Sequence, residues 1–255
     1  MADGARWEAV ASKLRGQIER GDLQAGDQLP PEAKLVEELD VSRATVRRAL
    51  QALVDEGLVT AGKGKLGRRV RHAPELLTWN LTEFENADRT DTREADAWNQ
   101  GIVDQGKEAR QDVTVLKEQP PGEVAKQLRL SEGDTVTVRR RVRYADDRPY
   151  QLSVSYFPAE VSQGTPLDLP GDQSAPGGLL AAAGYPQAFA RDRIRGRQPS
   201  HHESETLDLA PGTPVLEHMR VGYGLDHRPL RVMITTAPCD RWELQYDISL
   251  GQEES

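Results

Sequence analysis

The chain has one cysteine, Cys239, in 255 residues, so it cannot form an internal disulfide framework. A reducing compartment is expected. It also has no run of about 18 apolar residues and no signal-peptide pattern at its N-terminus. These absences lead us to expect no membrane partner and a cytoplasmic location. Lysine is scarce, with 7 against 26 arginines, a bias typical of GC-rich genomes that says nothing about function. Catalytic signatures are missing too: there is no G-x-S-x-G, no H-E-x-x-H and no Cys-His arrangement. His201-His202 beside Glu203 could suggest a metal, but adjacent helical residues diverge by about 100° and no third ligand is close in sequence. Capping or structural use is the expectation there. No enzyme, metal or cofactor is implied.

The net charge of −8 is unevenly divided. Residues 1–72 carry 13 Lys+Arg against 11 Asp+Glu, whereas residues 73–255 carry 20 against 30. The acidic part would repel DNA and should face away from it. The length suits two domains, each with its own core.

Residues 41–57, VSRATVRRALQALVDEG, organise the basic part. Ser42 is a strong N-cap, and Val41 and Val46 are spaced as a hydrophobic staple. Val46, Ala49, Leu50 and Leu53 recur at helical spacing as one buried stripe, and Gly57 supplies a left-handed C-cap. Arg47, Arg48 and Gln51 point away from the stripe, with Arg43 and Thr45 on its flanks. These groups suit phosphates and base edges, Arg above all because its fork can pair with guanine. Taken alone, the helix could equally be a solvated basic face.

The residues after the helix decide between the two. Leu58 to Ala61 and Arg68 to Arg71 read as two short extended runs around the tip GKGKLG, residues 62–67. A hairpin directly after such a helix is a wing. Lys63, Gly64 and Lys65 lie at its tip. A phosphate loop of an ATPase is excluded, because Arg68-Arg69 stand where that motif needs Lys then Ser/Thr and no helix follows. Upstream, Trp7, Val10, Leu14 and Ile18 form a first amphipathic helix ended by Gly21, and residues 32–39 form a short second one with Leu35 and Leu39 inward. Asp40 turns the chain into Ser42. Helix, helix, turn, helix and hairpin make a winged helix-turn-helix.

G-D-L-Q-A-G-D-Q-L-P-P-E, then V-S-R-A-T-V-R-R-A-L, then E-G-L-V resemble the GntR family of bacterial transcriptional repressors over residues 7–72. The resemblance implies operator contacts from Arg43, Thr45 and Arg47 and minor-groove entry by Gly64 or a neighbour. A family Arg that reads guanine after the Leu-Pro is replaced by Ala33 in the run Pro31-Glu32-Ala33.

Residues 73–96 read as a linker and tethered arm, polar and acidic from Asn86 to Asp96, with Trp79, Leu81 and Phe84 alternating as if to dock. The second domain, residues 97–255, contains an internal repeat. Leu128-x-Leu130-x-x-Gly133-x-x-Val136 matches Leu207-x-Leu209-x-x-Gly212-x-x-Val215, and Arg141-Val142-x-Tyr144 matches Arg220-Val221-x-Tyr223. Each copy reads as a helix (residues 123–128; 203–207) and a hairpin (135–144 with 150–157; 215–223 with 230–236). Two copies predict an α+β domain, a mixed and mainly antiparallel sheet with helices on one face and a pseudo-twofold.

With the winged helix in front, this repeat resembles the HutC-type branch of the family, whose UTRA effector domain has a chorismate-lyase-like fold. Leu207-x-Leu209-x-x-Gly212-Thr213-Pro214-Val215 and Asp240-Arg241-Trp242-x-Leu244 carry that resemblance. In members that bind phosphosugars an Arg-x-Arg pair holds the phosphate, which implies Arg141 and Arg143 here. A solvated edge strand at residues 139–143 is the alternative. Other ligand positions differ: Glu83 stands for a Ser in the arm, Ser153 for an acidic residue, and Arg231 for a Glu. The expectation is a regulator, most simply a repressor, that binds a double-stranded pseudopalindromic operator as a homodimer in the nucleoid and answers to a small, anionic effector. Two alternatives are a second domain that only dimerises or binds protein, and a lyase-like enzyme with an accessory DNA-binding domain.

Overall fold

The computed structural model describes residues 2–60, 67–71, 76–81 and 97–247. Its contacts divide the chain into two units, Met1–Glu75 with Ala210–Thr213, and Leu76–Leu209 with Pro214–Ser255.

Among the described residues the first unit holds three helices, α1 (Ala2–Glu19), α2 (Glu32–Leu39) and α3 (Arg43–Asp55). Their apolar stripes converge. Val10, Ala11, Leu14, Leu35, Val46, Ala49, Leu50 and Leu53 are buried in one cluster, closed by Leu29, Val54, Val59 and Val70. Local chemistry sets the ends of α2 and α3. Asp40 adopts a left-handed φ of 47° to stop α2, and the Ser42 hydroxyl accepts from Thr45 N–H to start α3. Gly57 follows α3 with φ 75°, a conformation that costs a residue with a Cβ more. Arg15 on α1 grips Glu56 fork to fork at 2.6 and 3.0 Å, fixing α1 against the end of α3. The legs of the expected hairpin pair through Thr60 N–H to Arg69 C=O and Arg71 N–H to Leu58 C=O, both 2.9 Å. A third segment joins them where Leu29 N–H donates to Arg68 C=O at 2.8 Å. The tip, with Lys63, Gly64 and Lys65, lies outside the described residues.

The second unit begins with β1 (Leu77–Asn80) and α4 (Ala97–Val103), followed by β2 (Ala109–Glu118), α5 (Gly122–Leu128), β3 (Val136–Ala145) and β4 (Arg148–Pro158). α6 (Ala159–Ser162), a 3-10 turn at Pro166–Asp168 and α7 (Leu179–Ala182) come next. β5 (Phe189–Arg197), α8 (His201–Thr206), β6 (Val215–Tyr223), β7 (Pro229–Pro238) and β8 (Trp242–Gln245) follow among the described residues. Six strands form an antiparallel sheet in the order β2-β3-β4-β7-β6-β5, and β1 pairs with β8 in parallel beside it. The order reads the same from both ends once the copies are superposed, β2 with β5, β3 with β6 and β4 with β7. Val154 pairs with Ile234 at the centre, and each copy breaks register at the matching place, Arg143/Tyr144 and Gly222/Tyr223. The repeat legible in the sequence is therefore a pseudo-twofold in the sheet.

Two expectations are corrected. Residues 139–143 are not an edge strand, because β3 lies between β2 and β4. Nor do helices cover only one face. α5 packs on the apolar face through Val124 and Leu128 against Val136, Val138, Val221 and Val232. On the opposite face, Ser162 of α6 bonds Thr137, and Trp98 of α4 lies over Arg143. That second layer exists because the opposite face carries polar groups whose hydrogen bonds must be met by protein.

Candidate nucleic-acid interface and effector site

On α3, Arg43 and Arg47 lie one turn apart, their side chains 68% and 62% exposed. Both turn toward Glu32, the first residue of α2. The Nε of Arg47 donates to its Oε2 at 3.0 Å and the Nε of Arg43 to the same oxygen at 3.4 Å. Arg68, from the hairpin leg, donates to Oε1 at 3.4 Å. Burial acts to raise the Glu32 carboxyl, but Arg47, then Arg43 and Arg68, hold it below the ordinary carboxylate range. Arg48 leaves this cluster and lies over the Trp7 ring at 4.6 Å. Gln51 donates to Asp55 at 2.8 Å along the same helix. Ser42 is exposed, whereas Thr45 is only 4% exposed, with its hydroxyl 2.8 Å from that of Ser42. The helix therefore turns inward a residue expected on its flank. Glu32 and Arg68 escape sequence reasoning, because their roles depend on contacts 11 to 36 residues away.

In the second unit, pairing places Val113, Arg141, Ser153, Thr235, His218 and Ile194 in one row across the polar face. A second row holds Val115, Arg139, Ser155, Met233, Arg220 and Asp192. Arg139 is fully buried and donates to the carbonyls of Leu167, Leu169 and Gly171 at 2.8–3.1 Å, clamping that loop over the sheet. Arg143, 9% exposed, donates to Gln111 and Gln151, each at 3.3 Å. Arg141 is half-buried, and Ser153 is fully buried and accepts from Thr235 at 3.4 Å. Burial pushes the Arg231 guanidinium down to about 10. Arg231 lies on β7 one pair beyond Val232–Tyr156, so strand register sets it apart from Arg143 at the other end of the sheet. Glu83 lies outside the described residues, as does Phe84. Gln151 is a buried member of the site that no local motif announces.

The other half of this face is filled from within. Arg220 forks onto Asp192 at 2.6 Å through both Nε and Nη2, and His218 stands 3.0 Å from the same carboxylate. Trp79 of β1 meets the His218 ring edge-on at 5.3 Å, and the Leu81 carbonyl accepts from Arg220 at 3.0 Å. Trp79 and Leu81 thus dock on the sheet. Among the described residues no cluster of His, Cys, Asp and Glu is arranged to hold a metal. Ser200 and Glu203 form a capping box at the start of α8, and His201 pairs with Glu205 at 3.3 Å. No described helix is long and apolar enough to cross a membrane.

Both units are similar to known proteins. Residues 7–66 match the model of bacterial regulatory proteins of the gntR family, and residues 104–243 match that of the UTRA domain. The HTH-type transcriptional regulator SCO4628 of Streptomyces coelicolor is 32% identical over 96% of this chain and 93% of its own. The repressor MngR of the mannosyl-D-glycerate transport/metabolism system in Escherichia coli is 25% identical over 87% of each chain. A crystal structure of a GntR-family transcriptional regulator superposes with a TM-score of 0.68 at 25% identity, covering 96% of this chain and 98% of that one.

Proposed function

As the chain belongs to the GntR family of bacterial regulatory proteins and carries a UTRA domain, we propose that this transcriptional regulator is a homodimeric repressor released from its operator by a small anionic ligand. The observation that carries the DNA half is the exposed pair Arg43 and Arg47 on the first two turns of a capped, buried-backed helix. One winged helix offers too few base contacts for a unique genomic site, so two copies reading a pseudopalindrome are needed. Residues 1–72 act as the reading head, with Ser42, Thr45, Arg48 and Gln51 supporting it and Lys63, Gly64 and Lys65 entering from the wing. Residues 73–96 tether it, and residues 97–255 bind the effector and the second copy. The protein works in the cytoplasm, on the nucleoid. Repression agrees with the role named for MngR.

The effector half rests on Arg141 and Arg143 on one strand face, with Ser153 beside them on β4; Arg231, at the other end of the sheet, and Glu83 are proposed only as secondary positions, not as contacts of the same small anion. A ligand that favours one arrangement of the second domains changes half-site spacing, and so operator affinity.

Fragments of the source genome, selected on the full-length protein and sequenced, should share an inverted repeat. Arg43→Ala and Arg47→Ala should each weaken binding to it by roughly 1–3 kcal/mol. No enriched repeat, or unchanged affinity in both variants, would overturn the reading.

A further inference from the structure

Glu32 opens α2 behind Pro31, at a helix N-terminus that favours a negative charge. The bond from Leu29 N–H to Arg68 C=O brings the hairpin leg alongside, so that one carboxylate meets guanidinium groups from α3 and from the leg. It takes Arg43 and Arg47 by the same kind of atom, Nε. An arginine held at Nε has its fork direction set and still presents Nη1 and Nη2, the end that can pair with guanine O6 and N7. The carboxylate is one-quarter exposed, and exposed ion pairs of this kind contribute little to stability. Their consequence lies in what the cations do next.

We propose that Glu32 is a positioning and specificity-determining residue for base reading, presetting the Arg43 and Arg47 forks while restraining their use as indiscriminate phosphate binders. The assignment rests on the DNA-binding function proposed above. The presetting is possible because holding a side chain in its bound geometry removes an ordering cost at the moment of binding. The restraint follows from charge. With Glu32 in place the three guanidinium groups share one negative charge, and without it every duplex gains an additional cation to neutralise its phosphates. Specificity is the difference between these two affinities, so Glu32 acts on it from both sides.

The test uses the full-length protein, the duplex it selects from its genome and a scrambled duplex of equal length, across a salt series. Glu32→Gln removes the charge at constant shape. The selected duplex should bind about tenfold more weakly, and the scrambled one equally well or up to about threefold more tightly. The dependence of log affinity on log salt should steepen by up to about one unit. In an Arg47→Ala background the same substitution should cost distinctly less on the selected duplex, because its main partner is gone. Glu32→Asp, with the charge but a shorter reach, should fall between. An unchanged ratio of selected to scrambled affinity would overturn the assignment, as would a parallel loss on both duplexes with a lowered melting temperature. If the wild-type protein selects no duplex, the DNA-binding function falls first, and this assignment with it. A selecting wild type with a silent Glu32→Gln refutes the assignment alone.

Discussion

Asp192 on β5 and Arg220 on β6 are direct register partners and meet fork to fork, Nε to Oδ1 and Nη2 to Oδ2 both at 2.6 Å. The Arg220 side chain is 6% exposed and that of Asp192 21%, so the pair is largely buried, and Arg220 also holds the Leu81 carbonyl and thereby the end of β1. Removing one partner of such a pair leaves a desolvated charge behind. Asp192→Asn is expected to destabilise the second unit by about 3 kcal/mol in urea denaturation. Replacing both, as Asp192→Leu with Arg220→Met, should recover most of that loss. A single substitution that costs less than about 0.5 kcal/mol would show the fork to be solvated and of little weight.

Acid sensitivity follows from two carboxylates. Hydrogen bonds from Arg197 hold Glu203 down to about 2 from the usual 4.5, against a smaller opposing effect of burial. Burial pushes Asp192 up, but Arg220 and His218 outweigh it and hold it well below the carboxylate range. A folded-state value below the unfolded one means the stabilisation is complete above the unfolded value and is lost as pH falls toward the folded one. Melting temperature should therefore hold between pH 6 and about 5 and decline steeply from about pH 4.5 to 2. Glu203→Gln should lower the plateau and flatten the decline. A wild-type curve that is level to pH 3 would contradict both carboxylate assignments.

Stability and reading should separate along α3. Leu53 is fully buried, and Leu53→Ala is expected to cost about 2–5 kcal/mol in the first unit. Ser42→Ala removes the hydroxyl that accepts from Thr45 N–H and should cost about 1 kcal/mol. Neither should change which DNA sequence is preferred, whereas Arg43→Ala should change the preference with little loss of melting temperature. Denaturation and sequence selection on the three variants would check this. A relaxed sequence preference in Leu53→Ala would mean that the core, not the exposed edge, sets recognition.

Features that local rules determine are legible in the residues taken in order. The Ser42 cap, the left-handed Gly57 and the stripe from Val46 to Leu53 need only neighbours within a few positions. The pseudo-twofold is legible because Arg-Val-x-Tyr and the Leu-x-Leu turn recur with little drift. β5 is not. Its alternation is one of charge, with Arg193, Arg195 and Arg197 on one side, and their acidic partners Glu123, Glu203 and Glu217 lie elsewhere in the chain. Glu32, Arg139 and Gln151 are hidden for the same reason. A buried Arg that clamps three carbonyls looks, in sequence, like one of a run of surface cations. Thr45 shows the limit of a helical wheel read coarsely, because it lies one turn before the buried Ala49 and is itself buried, its hydroxyl 2.8 Å from that of Ser42.

The effector prediction turns on Arg143. Its guanidinium sits between Gln111 and Gln151 with Trp98 at 5.2 Å, so its fork is held in a nearly water-free setting where an added anion interacts strongly. An anion that binds there stabilises only the folded second unit and should raise its melting temperature with the logarithm of its concentration above Kd. Inorganic phosphate and a panel of small mono- and dicarboxylates are the probes. The compound that raises the melting temperature most should also release the selected operator in an anisotropy titration, because the same binding energy drives both. Arg143→Ala should abolish the melting shift and the release together while leaving ligand-free operator affinity intact. Arg143→Lys keeps the charge and loses the fork, so it should retain a weakened response. An Arg143→Ala protein that still releases its operator at the wild-type concentration of that compound would place the sensing group elsewhere on the sheet.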